Sequence, residues 1–257
     1  MKFHTFGKEE NPVMVMLPGS LCPSSSMSYL YDIWKEDFYI IAVDYNGYDE
    51  NSTFSTRQGE AKGIVQYLKE QGITRIKMVY GQSMGAEIAI ELIHQLLERG
   101  IIVEKAFFDG APCIKLPKPY KAVVRAIFLK AIRLLRNKNV DDMMNMRFVK
   151  QLTNGDAESL RFMMNPVMEV MPYLTDESVI NQTECCYTFD FPAFDESNQK
   201  KLYFLYAKEE KAYKTCFKKV KKTYPNANYK VVTGYGHMTY SARETERYTQ
   251  MIRKICR

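Results

Sequence analysis

Gly81-Gln82-Ser83-Met84-Gly85 decides how the rest of this chain is read. The apolar run Ile76-Lys77-Met78-Val79-Tyr80 before it reads as a buried strand. The run Ala86-Glu87-Ile88-Ala89-Ile90-Glu91-Leu92-Ile93 after it reads as a helix. A serine with a glycine two residues away on either side, at a strand-to-helix turn, is the pattern of a nucleophile elbow. Such a turn is tight, so only very small residues fit the outer positions, and its strain lifts the serine hydroxyl clear of the sheet edge. The helix behind it brings a positive dipole end to the same place.

A nucleophilic serine needs a base, and the chain offers three histidines, His4, His94 and His237. His94 lies on the helix that starts at Ser83, roughly 16 Å further along its axis, too far to serve. His4 sits in an N-terminal run that alternates like an edge strand and reads as a solvent-facing residue. His237 remains, in the loop Thr233-Gly234-Tyr235-Gly236-His237-Met238 after the strand-like Tyr229-Lys230-Val231-Val232. The base in turn needs an acid to fix its tautomer and stabilise the imidazolium. Between Ser83 and His237 one strong apolar strand occurs, Leu202-Tyr203-Phe204-Leu205-Tyr206, followed by Ala207-Lys208-Glu209-Glu210. Glu210 is the first choice for the acid, Glu209 its neighbour and fallback. Asp109, at the end of Lys105-Ala106-Phe107-Phe108-Asp109, is the rival. An oxyanion hole would take one backbone N–H from Met84 and a second from the loop Pro18-Gly19-Ser20-Leu21, which follows the strand Val13 to Leu17. Ser20 or Leu21 can supply the second; the donor pair assigned is Ser20 and Met84, with Leu21 as a substrate contact.

Together these residues resemble the α/β-hydrolase superfamily, and the resemblance covers nearly the whole chain. It is carried by Leu17-Pro18-Gly19-Ser20, Asp44, Gly81 to Gly85, the strand ending at Tyr206, and Gly236-His237-Met238. Many members carry a His-Gly pair in the oxyanion loop, where this chain has Pro18-Gly19. The resemblance implies a mostly parallel twisted α/β sheet flanked by helices. It also implies a serine hydrolase with a Ser83–His237–Glu210 triad, cleaving an ester or thioester of a small, partly apolar substrate through an acyl-enzyme. Acyl transfer or carbon–carbon bond hydrolysis on the same site, and a non-catalytic ligand-binding role, are the alternatives.

The rest of the sequence fits that reading. At 257 residues, 46% hydrophobic and 26% charged, the chain suits one large α/β domain. Strand-like runs fall at 2–6, 13–17, 38–44, 76–80, 105–109, 202–206 and 229–233. Helical runs fall near 24–35, 55–71, 84–99, 209–223 and 242–255, an alternation that a parallel sheet requires. Asp44 is expected to order a loop at the rim of the site.

The alternation breaks between Pro112 and Pro192, where no convincing core strand occurs. Residues 112–192 therefore read as a helical cap inserted into a core made of 1–111 and 193–257. Its first helix, about 120–136, is expected to collect Val123, Val124, Ile127, Ala131, Ile132 and Leu135 on one side, with Lys121, Arg125, Lys130, Arg133 and Arg136 over much of the rest. The later part is rich in methionine, an adaptable apolar residue. Met163 and Met164 are the expected substrate contacts.

No apolar run is long enough to span a membrane, and the N-terminal residues lack the apolar core of a signal peptide. Cysteines 22, 113, 185, 186, 216 and 256 show no metal spacing and read as reduced cytoplasmic thiols. No metal or cofactor is expected. The formal charge of +6, with Lys214, Lys218, Lys219, Lys221 and Lys222 clustered, reads mainly as a solvated surface. The basic cap helix could instead meet an anionic lipid surface or attract acidic substrates. No nucleic-acid motif accompanies the charge. Oligomeric state is left open.

Overall fold

Period-two alternation along the central strands sends successive apolar side chains to opposite faces, so both faces of the sheet are buried. In the computed structural model, which describes residues 1–136, 138–210 and 213–257, seven strands form one sheet. They are β1 (Lys2–Phe6), β2 (Val13–Leu17), β3 (Tyr39–Asp44), β4 (Arg75–Gln82), β5 (Ile102–Asp109), β6 (Leu202–Ala207) and β7 (Asn228–Val232). Their order is β1-β3-β2-β4-β5-β6-β7. β1 runs antiparallel to β3, and every other neighbouring pair is parallel.

The helices are α1 (Ser28–Trp34), α2 (Arg57–Glu70), α3 (Met84–Leu97), α4 (Lys118–Leu135), α5 (Val140–Asn145), α6 (Arg147–Leu152), α7 (Arg161–Val170), α8 (Asp176–Tyr187), α9 (Glu196–Gln199), α10 (Tyr213–Thr223), α11 (Thr239–Arg243) and α12 (Thr245–Cys256). Val15, Leu17, Ile41 and Val43 share a core with α2, α3 and α10. Met14, Met16, Ile40 and Ala42 share the opposite core with α1 and α12. The expected mostly parallel α/β sheet flanked by helices is therefore the architecture of the chain. It is also the topology that leaves the carboxyl ends of β2, β4, β5, β6 and β7 along one edge.

Five helices, α4 to α8, occupy the chain between β5 and α9. Pro119 lies in the first turn of α4, where its missing N–H costs no helical bond. α4 is held along α8 by ion pairs: Lys121 and Arg125 meet Glu184, and Arg133 and Arg136 meet Asp176.

Four local expectations need correction. The apolar residues expected on one side of the first insert helix are divided. Ile132 and Leu135 are buried, whereas Val123 and Ile127 are 59% and 58% exposed. The face that packs on α8 includes Lys121 and Arg125, whose charges are met by Glu184, so apolar periodicity alone misassigned the buried side. The C-terminal helical run is two helices, α11 and α12, broken at Glu244. The run expected as helix over 209–223 begins at Tyr213. Glu209 and Glu210 stand in a turn before it, and residues 211 and 212 lie outside the described residues. β4 and β5 also extend beyond their expected lengths by two or three residues at an end, because tertiary pairing in the sheet sets those ends.

Candidate active site

At the end of β4 the backbone turns sharply into α3, and Ser83 takes φ 52° and ψ −119°. That region is nearly closed to side-chain-bearing residues and persists only where its surroundings enforce it. The surroundings do so here. A Cβ on Gly81 would lie 2.6 Å from the Gly85 carbonyl oxygen, and one on Gly85 would lie 2.3 Å from the carbonyl oxygens of Leu17 and Pro18. Backbone is packed against backbone on both sides of the serine, and its own N–H donates to the Asp109 carbonyl at 2.8 Å.

His237 lies in the loop between β7 and α11. Its N–H donates to the Leu152 carbonyl of α6 at 2.9 Å, so the insert grips the histidine loop directly. On the sheet side its imidazole rests on Gly110, where a Cβ would come within 2.6 Å of Cε1. Glu210 Oε2 approaches His237 Nδ1 at 3.0 Å, and both side chains are nearly buried, 12% and 8% exposed. The approach is oblique rather than in line with the N–H. Burial alone would depress the histidine pKa. The adjacent Glu210 carboxylate, and Asp109 further off, outweigh it and raise it above the usual range.

The two rival acids sit differently. Glu209 Oε2 is buried and has no hydrogen-bond partner among the described residues. Asp109 is 3% exposed and accepts the Tyr248 hydroxyl at 2.8 Å. Burial pushes its pKa up to about 6, against the opposing pull of the Tyr248 hydrogen bond and of His237.

Asp109 ends a buried network that the sequence did not reveal. Gln82, the residue before Ser83, donates from its amide to the hydroxyls of Tyr80 and Tyr29, at 2.9 and 3.0 Å. Tyr80 is 2.8 Å from the Tyr248 hydroxyl, which donates on to Asp109. Tyr29 is 3.0 Å from the Ser241 hydroxyl, which donates to the Met238 carbonyl. The two amide protons of one side chain thus start two chains, one ending at the carboxylate near His237 and one at the residue after it.

The loop after β2 lies against the serine: a Cβ on Gly19 would sit 3.5 Å from the Ser83 Cβ. The loop closes with a bond from Cys22 N–H to the Gly19 carbonyl at 3.2 Å, and Leu21 takes φ 64°. Gln182, buried on α8, reaches it from the insert. Its Oε1 accepts the Leu21 N–H at 2.8 Å and the Ser20 hydroxyl at 2.9 Å. Met84 opens α3, so its N–H has no acceptor within the helix.

These groups border a cavity of about 250 Å³. Gly19, Ser20, Leu21, Ser83, Glu210 and His237 form its sheet side. Phe128, Met143, Phe148, Val149, Leu152, Leu160, Met164 and Val167 form most of the other wall. Met164 lines the cavity, whereas Met163 is fully buried against Leu160 and Met238. Neighbours on a helix diverge by about 100°, so two consecutive methionines do not share one direction.

The remaining candidates lie elsewhere. Asp44 binds the Ser24 N–H at 2.6 Å and His4 at 2.8 Å, and so ties down the start of the turn at Ser24–Met27. His94 is partly exposed beside Glu98 on α3. All six cysteines are unpaired. No helix among the described residues is long and apolar enough to cross a membrane.

No protein-family model matches the chain, and comparison with curated proteins gives no match. Solved structures do match. A putative alpha/beta hydrolase family protein from Desulfitobacterium hafniense superposes with a TM-score of 0.77 at 16% identity, over 100% of both chains. Esterase EaEST from Exiguobacterium antarcticum gives 0.72 at 18% identity, over 99% of this chain and 94% of that one. Carboxylesterase CesB from Bacillus subtilis gives 0.70 at 17%, over 98% and 86%. At these identities the likeness is one of fold: the chain has the α/β-hydrolase fold.

Proposed function

We propose that this chain is a serine hydrolase that cleaves a carboxylic ester or thioester of a small, partly apolar substrate through an acyl-enzyme. The observation that carries the reading is the strained Ser83 at the wall of a cavity that His237 and Glu210 also border, with those two side chains 3.0 Å apart. The esterase names among structures of the same fold agree with it.

In this reading His237 takes the Ser83 proton as Oγ attacks the acyl carbonyl. Glu210 orients the imidazole and stabilises the charge it gains. The developing oxyanion is held by the Met84 N–H and by one from the oxyanion loop. Gln182 already occupies the Leu21 N–H, which favours Ser20 as the second donor. The imidazolium then protonates the leaving alcohol or thiol as the carbon–oxygen or carbon–sulfur bond breaks. Water, deprotonated by His237, attacks the acyl-enzyme and releases the acid and free Ser83.

Residues 112–192 act as a cap over this site. The largely apolar wall that the segment supplies suits a hydrocarbon acyl group, whose burial is worth about 0.8 kcal/mol per methylene. The unpaired thiols fit a reducing compartment, and a cytoplasmic location belongs to the same proposal. A panel of p-nitrophenyl esters of graded acyl length tests the reading, with Ser83→Ala as control. The expected outcome is hydrolysis by wild type and loss of turnover in the variant with folding retained. Wild-type protein that hydrolyses no ester or thioester would favour a ligand-binding role.

A further inference from the structure

Large apolar side chains facing solvent are unevenly placed in this molecule. Of the nine exposed ones among the described residues, seven belong to residues 112–192: Tyr120, Val123, Ile127, Leu134, Phe148, Phe162 and Tyr173. Four of the seven are on α4. At about 100° per residue, Tyr120, Val123, Ile127 and Leu134 fall within roughly 60° of one another around the helix, with buried Ile132 about 150° and buried Leu135 about 90° from the middle of that stripe. α4 therefore has two apolar faces, one packed on the protein and one turned to water.

The formal charge on α4 has one sign. α4 carries Lys118, Lys121, Arg125, Lys130 and Arg133, and no aspartate or glutamate. Lys121, Arg125 and Arg133 are met from behind by Glu184 and Asp176 of α8. Lys130 has no ion-pair partner among the described residues and lies beside the stripe, between Ile127 and Leu134, whereas Lys118 falls on the opposite side of the helix. Exposed apolar patches of this kind mark interaction surfaces. An apolar stripe edged by an unpaired lysine, with no acid on its helix, fits the boundary between acyl chains and anionic headgroups. A second copy of the same face fits poorly, because a twofold contact would bring like charges together. The same helix also reaches the cavity. Phe128 of α4 and half-exposed Phe148 of α6 meet edge to face at 5.3 Å, and both line it.

We propose that the outer face of α4 docks the protein peripherally on an anionic phospholipid surface, with Tyr120, Val123, Ile127 and Leu134 entering the acyl boundary and Lys130 meeting the headgroups. This surface does not depend on the hydrolase reading.

The test is co-sedimentation of the full chain with vesicles. One set is equimolar phosphatidylglycerol and phosphatidylcholine, and the other is phosphatidylcholine alone. Wild type is expected to bind the anionic vesicles more strongly, and to lose part of that preference in high salt. Val123→Ser/Ile127→Ser should weaken anionic-vesicle binding by about tenfold or more, since each buried methylene contributes about 0.8 kcal/mol. Both positions are exposed, so the thermal midpoint should hold. Lys130→Glu should reduce binding to anionic vesicles and leave the weaker binding to neutral ones unchanged. Three results would overturn the proposal: wild type staying in the supernatant with both vesicle types, the double serine variant binding as well as wild type, or light scattering showing a dimer that the double variant splits.

Discussion

The two walls of the cavity are built by different physics. On the sheet side, Ser83 is held in a disallowed-like turn by backbone contacts at Gly81 and Gly85, and polar side chains beneath it are linked from Gln82 to Asp109 and to Met238. On the insert side, the wall is mostly methionine, leucine, valine and phenylalanine. Strained backbone and buried hydrogen bonds fix atoms to within fractions of an ångström. Apolar packing fixes volume and tolerates exchange. In the proposed reading the sheet side carries the chemistry and the insert side selects what reaches it. Gln182 and the Leu152 carbonyl are where the two meet, since each bonds a loop of the sheet side.

The largest expected effect falls on the sheet side. Ser83→Ala should cut ester turnover by about 10⁴-fold or more, with the thermal midpoint little changed, as measured by steady-state hydrolysis and calorimetry.

Next comes the choice of acid, where two buried carboxylates can be set against each other. Glu210→Gln should lower turnover by about 10³-fold to 10⁴-fold, because in the proposed triad Glu210 fixes the His237 tautomer. Asp109→Asn should cost turnover far less and stability more, because its carboxylate receives the Tyr248 hydroxyl inside the core. The pH profile adds a second readout. His237 must be neutral to act as base, and Glu210 and Asp109 together outweigh burial to raise its pKa. The acidic limb of kcat/KM is therefore expected above the usual histidine value of about 6.5, and residual activity of Glu210→Gln should have its limb moved to lower pH. A crippled Asp109→Asn beside a mild Glu210→Gln would reverse the assignment.

A smaller effect is expected where the walls join. Gln182→Met keeps the length of the side chain but removes the acceptor for Ser20 and Leu21. It should reduce kcat by about tenfold with a lesser change in KM, the pattern of an oxyanion loop that has drifted. A change in KM alone would make Gln182 a cavity-shaping residue instead.

The smallest effects belong to the insert wall. Met164→Ala should shift the preferred acyl length, by a few-fold in kcat/KM per methylene, whereas Met163→Ala should lower stability and leave the preference in place. If both variants change only stability, the insert is packing rather than selection.

Much of the fold was legible because its signals are local. Apolar runs of strand length alternating with helical periodicity demand a parallel sheet, and the glycines around Ser83 announce a turn that no larger residue can make. What stayed hidden depends on distant partners. Gln182 meets Leu21 across 161 residues, and nothing near either position signals the pairing. Tyr80 and Tyr248 read as ordinary apolar positions until the fold brings their hydroxyls to 2.8 Å. The outward turn of Val123 and Ile127 escaped for a related reason: periodicity shows that α4 has apolar stripes but not which one faces α8. Consecutive Met163 and Met164 likewise look equivalent until the direction of α7 is known.

The central claim is that Ser83 is the one activated nucleophile and His237 activates it. The most direct measurement treats the intact protein with a small fluorophosphonate and locates the adduct by peptide mass spectrometry. The account predicts a single adduct on Ser83, absent in Ser83→Ala and formed far more slowly in His237→Ala. An adduct on another serine, or a His237→Ala variant labelled as fast as wild type, would contradict it.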